Sequence, residues 1–336
     1  MNVWKLNAVR SLTRTEEPIP QPEEGKYRIR VTKVLVNSVD AAIYRGEKKA
    51  KLPLAMGRFA IGIVSDENGG TFFPKGARVL LHTYLPAPDT GTAKKDFTED
   101  EIRVCGITKN GYLRDFVYVS ADEMTLLPDS ISDEHALLVH HLALAKDTVD
   151  ALGAQKGDHV AVIGGDHLGY LISQLLIYQQ ASPILVDSDQ AKVDFAHKNG
   201  IYYSILADEN VIQSIAEITG GRLANGAIYV TSADGNDTAL PLVTCARGKH
   251  VVLCGNNADS LNINLGTAIK KLLEISCVHN GSDTLETAIN LIVSGAVNLS
   301  GFHSHVFAAE EAAKVLEDIA SKTDQDVGEL HILSLI

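Results

Sequence analysis

The stretch that decides the fold is Gly157 to Asp187, GDHVAVIGGDHLGYLISQLLIYQQASPILVD. His159 to Ile163 is a short apolar run with β-branched residues, which predicts a buried parallel strand. Gly164-Gly165-Asp166-His167-Leu168-Gly169 follows at once. Tyr170 to Tyr178 is apolar almost all round, as a helix lying on a sheet should be, and Pro183 to Val186 predicts a second strand that stops at Asp187.

Strand, glycine turn, helix, strand and acid is the order of the βαβ unit that binds dinucleotides. Glycines let backbone approach a pyrophosphate. The helix N-terminus offers free N–H groups and positive potential, and the acid accepts from ribose hydroxyls. Gly164 and Gly169 meet the first and third glycines of G-x-G-x-x-G, but Asp166 stands at the middle one. A carboxylate there adds bulk and like charge where a phosphate comes closest. The candidate cofactor-binding residues are Gly164, Gly165, Asp166, His167, Leu168 and Gly169 in the turn, with Asp187 and Ser188 after the second strand. Thr231, Gly255 and Asn256 follow later strands. Asp187 predicts NAD, with NADP less favoured, because a 2′-phosphate would meet a carboxylate; a structural role for the acid, capping the next helix, stays open.

Outward from this unit the chain divides. Upstream, residues 1 to 36 alternate like strands, as in KYRIRVTKVLV, and further strand signals lie in KLPLAMGRFAIGIV, PKGARVLLHTY and NGYLRDFVYVS. Ser132, with Asp133 and Glu134 behind it, predicts a helix N-terminus for a helix running towards Leu152 through His140 and His141. Downstream, AIYVT, HVVLCG and EISCVH alternate with helix signals, which predicts a doubly wound parallel sheet. The tail predicts helices at Thr284–Ser294 and Ala308–Ser321 and a closing strand, ELHILSLI.

The net charge of −12 argues against nucleic acid or an anionic membrane as partner. No window of 18 apolar residues would span a bilayer and no signal peptide is apparent, so a cytoplasmic location is expected. Cys105, Cys245, Cys254 and Cys277 form no C-x-x-C pair and read as free thiols in a reducing compartment.

VNSVDAAIYRG, LPLAMGRFAIGIV, FPKGARVLL, NGYLRDFVYVS, LLPDSISDEHALL, the βαβ unit and HVVLCG, taken in that order, resemble the medium-chain dehydrogenase/reductase superfamily. The resemblance implies an α/β chain with two domains: a GroES-like, β-rich catalytic domain over residues 1–141 and 280–336, and a doubly wound Rossmann domain over residues 142–279. It also implies a homodimer or homotetramer joined near EISCVH, acting on a small-molecule substrate.

The zinc-dependent branch of that superfamily holds its catalytic metal on Cys, His and a third ligand. Carried over, those positions fall on Asn37, on Arg58 with Phe59 beside it, and near His140. An arginine has no lone pair to donate, and residues 83 to 110 hold only Cys105 for a structural zinc. No zinc is therefore expected. Arg58, His140, Asn37 and Asp40 become the catalytic candidates. Arg58 is either an anchor for substrate oxygen or a salt-bridge partner of Asp40 filling the old site. His140 is either a proton shuttle, its ordinary pKa of ~6.5 suiting that task, or a packed helix histidine. Asn37 would hydrogen-bond nicotinamide or substrate, and Asp40 would brace Arg58 or the backbone. His141 and Tyr44 are weaker candidates. The expected function is zinc-independent, NAD-dependent hydride transfer to or from a polar hydroxyl or carbonyl substrate of polyol, sugar or amino-alcohol type. NSVD also resembles quinone and enoyl reductases, so C=C reduction stays open, as does a non-catalytic binding homologue.

Overall fold

The computed structural model describes residues 1–66, 70, 72–85, 103–231, 239–255, 263–321 and 327–336. The chain forms two compact units. The first comprises Met1–Leu138 with C-terminal segments that begin at Ser304 and Leu330, and the second comprises Val139–His303 with a short segment that ends at Glu329.

The first unit is built on the strand Tyr27–Val36, whose inward residues Ile29, Val31 and Val34 are fully buried. It pairs antiparallel with Phe59–Val64, Phe116–Val119 and the closing strand Glu329–Ser334. Arg78–Leu81 and Met124–Leu126 extend this sheet, and a separate three-stranded sheet holds Asn2–Ala8, Ser11–Glu16 and Leu54–Ala55. Val79, Leu81, Leu113 and Leu333 join the same core. Each such side chain contributes about 1.5–3 kcal/mol by leaving water.

A charge cluster ties the helix start at Asp133 to this sheet. Lys33 Nζ lies 3.1 Å from Asp133 and 3.0 Å from Glu134, and Arg78 reaches Asp133 at 2.6 Å. Burial pushes the Asp133 carboxyl up, but the hydrogen bonds and charges of Lys33 and Arg78 outweigh it and hold it below the usual range. Glu134 is held low in the same way, by its backbone and by Lys33. Carboxyls with depressed folded pKa values add stability above their unfolded pKa, near ~4, and lose it as pH falls through the folded values. Thermal melts of wild type and Lys33→Met are thus expected to differ at neutral pH and to converge on acidification. A gap unchanged by pH would contradict this.

The second unit carries a six-stranded sheet in the order Tyr203–Leu206, Ser182–Asp187, His159–Ile163, Ala224–Val230, Cys245–Cys254, Glu274–Val278. Every pairing is parallel, with Ile228 beside Val162 on one side and Val252 on the other. Starting from the first strand in the chain, the order is 3-2-1-4-5-6, the doubly wound arrangement whose ligand crevice lies at the carboxyl ends of the strands. Two differences from the expected boundaries have clear causes. The helix Leu285–Val293 packs on Val139–Leu152, with Thr284 Oγ1 donating to Asp147 at 2.8 Å. A Cβ at Gly281 would overlap the backbone of Ala143 and Leu144. The second unit therefore continues to His303 rather than stopping at residue 279. The edge strand Tyr203–Leu206 escapes the alternation test because it is short and none of its residues is fully buried.

Among the described residues no helix is long and apolar enough to cross a membrane. Cys105, Cys245 and Cys254 are buried, Cys277 is exposed, and all four are unpaired with one another.

Candidate functional site

Most of the candidate cofactor residues converge at the carboxyl ends of the parallel strands. His159–Ile163 delivers the chain to Gly164, whose φ of +110° lies in the region that favours glycine. The helix His167–Tyr178 then leaves at once, its residues Leu168 to Leu176 all buried. A Cβ at Gly169 would overlap the Gly164 carbonyl, so only glycine lets this helix sit so close to the turn. The turn thus has the close backbone approach that a dinucleotide fold needs.

Three of its donors are already engaged with carboxylates. Asp166 is the N-cap of the helix, and its Oδ1 accepts from Leu168 N–H and Gly169 N–H, each at 3.0 Å. Asp187, 2% exposed, turns inward rather than out. One of its oxygens accepts from Gly165 N–H at 2.7 Å and the other from Asp189 N–H at 2.9 Å, with Lys192 Nζ 3.7 Å away. Asp189, not Asp187, caps the next helix, accepting from Ala191 N–H. Ser188 is exposed at the rim, while His167 lies 5.3 Å from the Phe302 ring, centre to centre. Thr231 and Gly255 close the far side. Gly255 has φ +99°, and a Cβ there would come within 2.7 Å of Thr231 Oγ1. Asn256 falls outside the described residues.

In the first unit the structure gathers three catalytic candidates. Gly57, at φ +89°, turns the chain into Arg58, and hydrogen bonds from Gly111, Tyr112 and Leu113 to Ala55, Gly57 and Met56 hold that turn. Thr83 Oγ1 donates to the Arg58 carbonyl at 2.7 Å. The guanidinium is 3% exposed; Nη2 donates to Asn37 Oδ1 at 2.9 Å and Nε to Asp40 Oδ1 at 3.4 Å. It also lies 4.8 Å from the centre of the Phe59 ring. The remaining donors of this guanidinium meet no acceptor among the described residues. Burial pushes the Asp40 carboxyl up, and the charge of Arg58 opposes that.

Asp40 braces the backbone as well as Arg58, and Asn37 joins it in a role beyond chemistry. They form a capping box on the helix Ser38–Arg45. Asn37 Oδ1 accepts from Val39 N–H and Asp40 N–H, while Asp40 Oδ2 accepts from Asn37 N–H. The N-x-x-D spacing was the available signal. Tyr44 is buried and donates to the Arg10 carbonyl at 3.4 Å, which is a packing role. His140 belongs to the second unit, buried in the first turn of Val139–Leu152, and His141 beside it is half-buried.

The described residues contain no group of three or more His, Cys, Asp or Glu placed to hold a metal. Arg58 offers no lone pair, and Asn37 Oδ1 already accepts three N–H groups, so these positions do not form a zinc ligand set.

Comparison with known proteins bears on the cofactors. Residues 23–129 match the alcohol dehydrogenase GroES-like domain. An uncharacterized zinc-type alcohol dehydrogenase-like protein of Haemophilus influenzae is 22% identical, the match covering 91% of each chain. Sorbitol dehydrogenase of Halalkalibacterium halodurans is 24% identical over 91% of this chain and 92% of its own. The crystal structure of a putative zinc-binding dehydrogenase from Sinorhizobium meliloti, bound to NADP, superposes with a TM-score of 0.83 at 19% identity, covering 99% of this chain and 98% of that one. These findings overturn the cofactor expectation. Relatives are of zinc type, and a neighbour of the same fold holds NADP, so neither the expected absence of zinc nor the preference for NAD stands. The physical reason for the second is visible in Asp187. Its two oxygens serve Gly165 and Asp189 and so do not present a carboxylate against a 2′-phosphate.

Proposed function

Because the chain belongs to the medium-chain dehydrogenase/reductase superfamily, we propose that it is a nicotinamide-dinucleotide-dependent oxidoreductase acting on a polar hydroxyl or carbonyl substrate of polyol, sugar or amino-alcohol type. The observation that carries this reading is the glycine turn at the carboxyl end of a parallel sheet in 3-2-1-4-5-6 order, with Asp187 fastening it. Sorbitol dehydrogenase among the relatives supports the substrate class.

The bound dinucleotide supplies the hydride acceptor in one direction and the donor in the other. Oxidising an alcohol also requires its hydroxyl proton to leave and negative charge on its oxygen to be stabilised. Arg58 is assigned the second task, through the guanidinium donors that Asn37 and Asp40 leave unused. Asn37 and Asp40 are positioning residues that fix the plane of that guanidinium. A second copy of the chain is the proposed partner: Glu274–Val278 is an outer strand of the parallel sheet, and Leu265 and Ile269 on the preceding helix, with Leu272 at its C-cap, are exposed.

Incubating the purified protein with oxidised NAD or NADP and a panel of polyols, sugar acids and amino alcohols tests the reading. Reduced nicotinamide is expected with at least one member of the panel. Turnover only of quinones or activated alkenes with NADH or NADPH would move the chain to C=C reduction. Silence with every combination would sink the enzyme reading.

A further inference from the structure

The glycine turn answers a question about itself. Three of its N–H groups, those of Gly165, Leu168 and Gly169, point at carboxylates of the same chain, the first at Asp187 and the other two at Asp166. A pyrophosphate docks on such a helix because free N–H groups and positive helix potential await it. Here Asp166 already supplies the negative charge. The first turn of His167–Tyr178 contains no other acid, so this carboxylate alone compensates the helix end.

We infer that Asp166 is an internal occupant of the anion position in this turn and sets the affinity for the dinucleotide. The inference rests on the dinucleotide reading above. For a pyrophosphate to use the N–H groups of Leu168 and Gly169, the Asp166 carboxylate must give them up and swing aside, and its charge then stands next to the incoming phosphates. Two costs follow, a lost cap and a like-charge contact. Asp166 is half-buried rather than locked in the core, so the swing needs a side-chain rotation and not a refolding of the helix. Asp189, the N-cap of the helix Gln190–Lys198, accepts the equivalent bond from Ala191 with no glycine turn before it. There a cap is only a cap. At Asp166 the same device sits where the fold would receive phosphate.

Asp166→Asn separates the two costs. The amide oxygen can still accept from Leu168 and Gly169, so the cap survives, while the charge is gone. Calorimetric titration of wild type and Asp166→Asn with NADH, NADPH and adenosine is the test, with melting temperatures as the folding control. NADH or NADPH is expected to bind the variant about five- to tenfold more tightly, the size of a helix-terminus charge effect. Adenosine, which lacks the pyrophosphate, should bind both proteins alike. Equal dinucleotide affinity in the two proteins, or an equal gain for adenosine, overturns the role of Asp166 and leaves the dinucleotide reading standing. Failure of both proteins to bind either dinucleotide overturns that reading, and the inference with it.

Discussion

Arg58→Met is expected to destabilise the β-rich unit by about 3–5 kcal/mol, because it strands the Asp40 carboxylate with no cation in the core. Asp40 is 0% exposed, and its other oxygen is committed to the Asn37 N–H. Burial already pushes that carboxyl up, with Arg58 as the largest opposing influence. Without Arg58 the group must either take up a proton or remain an unpaired buried charge, and both cost stability at neutral pH. Methionine fills much of the volume of arginine, so packing loss is a smaller part of the effect. The double variant Asp40→Asn, Arg58→Met should recover most of the loss, since no charge remains and the amide can still accept from Asn37 N–H. Chemical denaturation of the two proteins and wild type measures this. An Arg58→Met protein as stable as wild type would mean that the pair does not hold this corner of the fold. Arg58→Lys gives the complementary readout. It keeps the charge but loses the planar fork that reaches Asn37 and Asp40 together. In the proposed enzyme, a falling kcat with an almost unchanged melting temperature would separate substrate activation from structure.

Gly169→Ala is expected to cost about 3 kcal/mol or more in the parallel-sheet unit. The new Cβ would overlap the carbonyl oxygen of Gly164 and sit 2.9 Å from its carbon. Both are backbone atoms, so no rotamer relieves the clash, and the helix must back away from the turn. That movement would pull Leu168 and Gly169 off the Asp166 cap and loosen the buried helix face. Gly165→Ala is the control. Its Cβ would meet side-chain atoms of Leu185, Lys192 and Asp187 at 3.1–3.4 Å, contacts that small shifts can relieve. Thermal unfolding should therefore separate the two variants clearly, with Gly169→Ala much the lower. Equal melting temperatures would contradict the close helix–turn packing.

How much was legible in the sequence depended on the range of the cause. The βαβ unit was readable because each part is local: a β-branched run, glycines where the backbone must turn, an apolar helix, an acid at a strand end. The parallel sheet followed from alternation of strands and helices. The bracing role of Asp40 is legible from its place beside Arg58, while the capping box is the nearer explanation for Asn37, since an Asn followed three residues later by Asp before an apolar run satisfies helix N–H groups. Asp166 stands out as a misfit at a glycine position, while its identity as an N-cap residue is equally legible from the helix behind it. The place of Asp187 at a strand end predicts that it faces ribose. No sequence rule says that both of its oxygens turn back onto Gly165 and Asp189. The course of the tail was hidden for a similar reason: Gly281 lies against the Ala143–Leu144 backbone through a contact between residues far apart in the chain.

The most direct test of the central claim follows the hydride itself. A substrate from the responsive class, deuterated at its carbinol carbon, is incubated with the protein and the oxidised dinucleotide, and the reduced nicotinamide is recovered for mass analysis. The account predicts one deuterium on the nicotinamide ring and the matching carbonyl product. Carbonyl product without label on the ring, or no reduced nicotinamide with any alcohol offered, would contradict it.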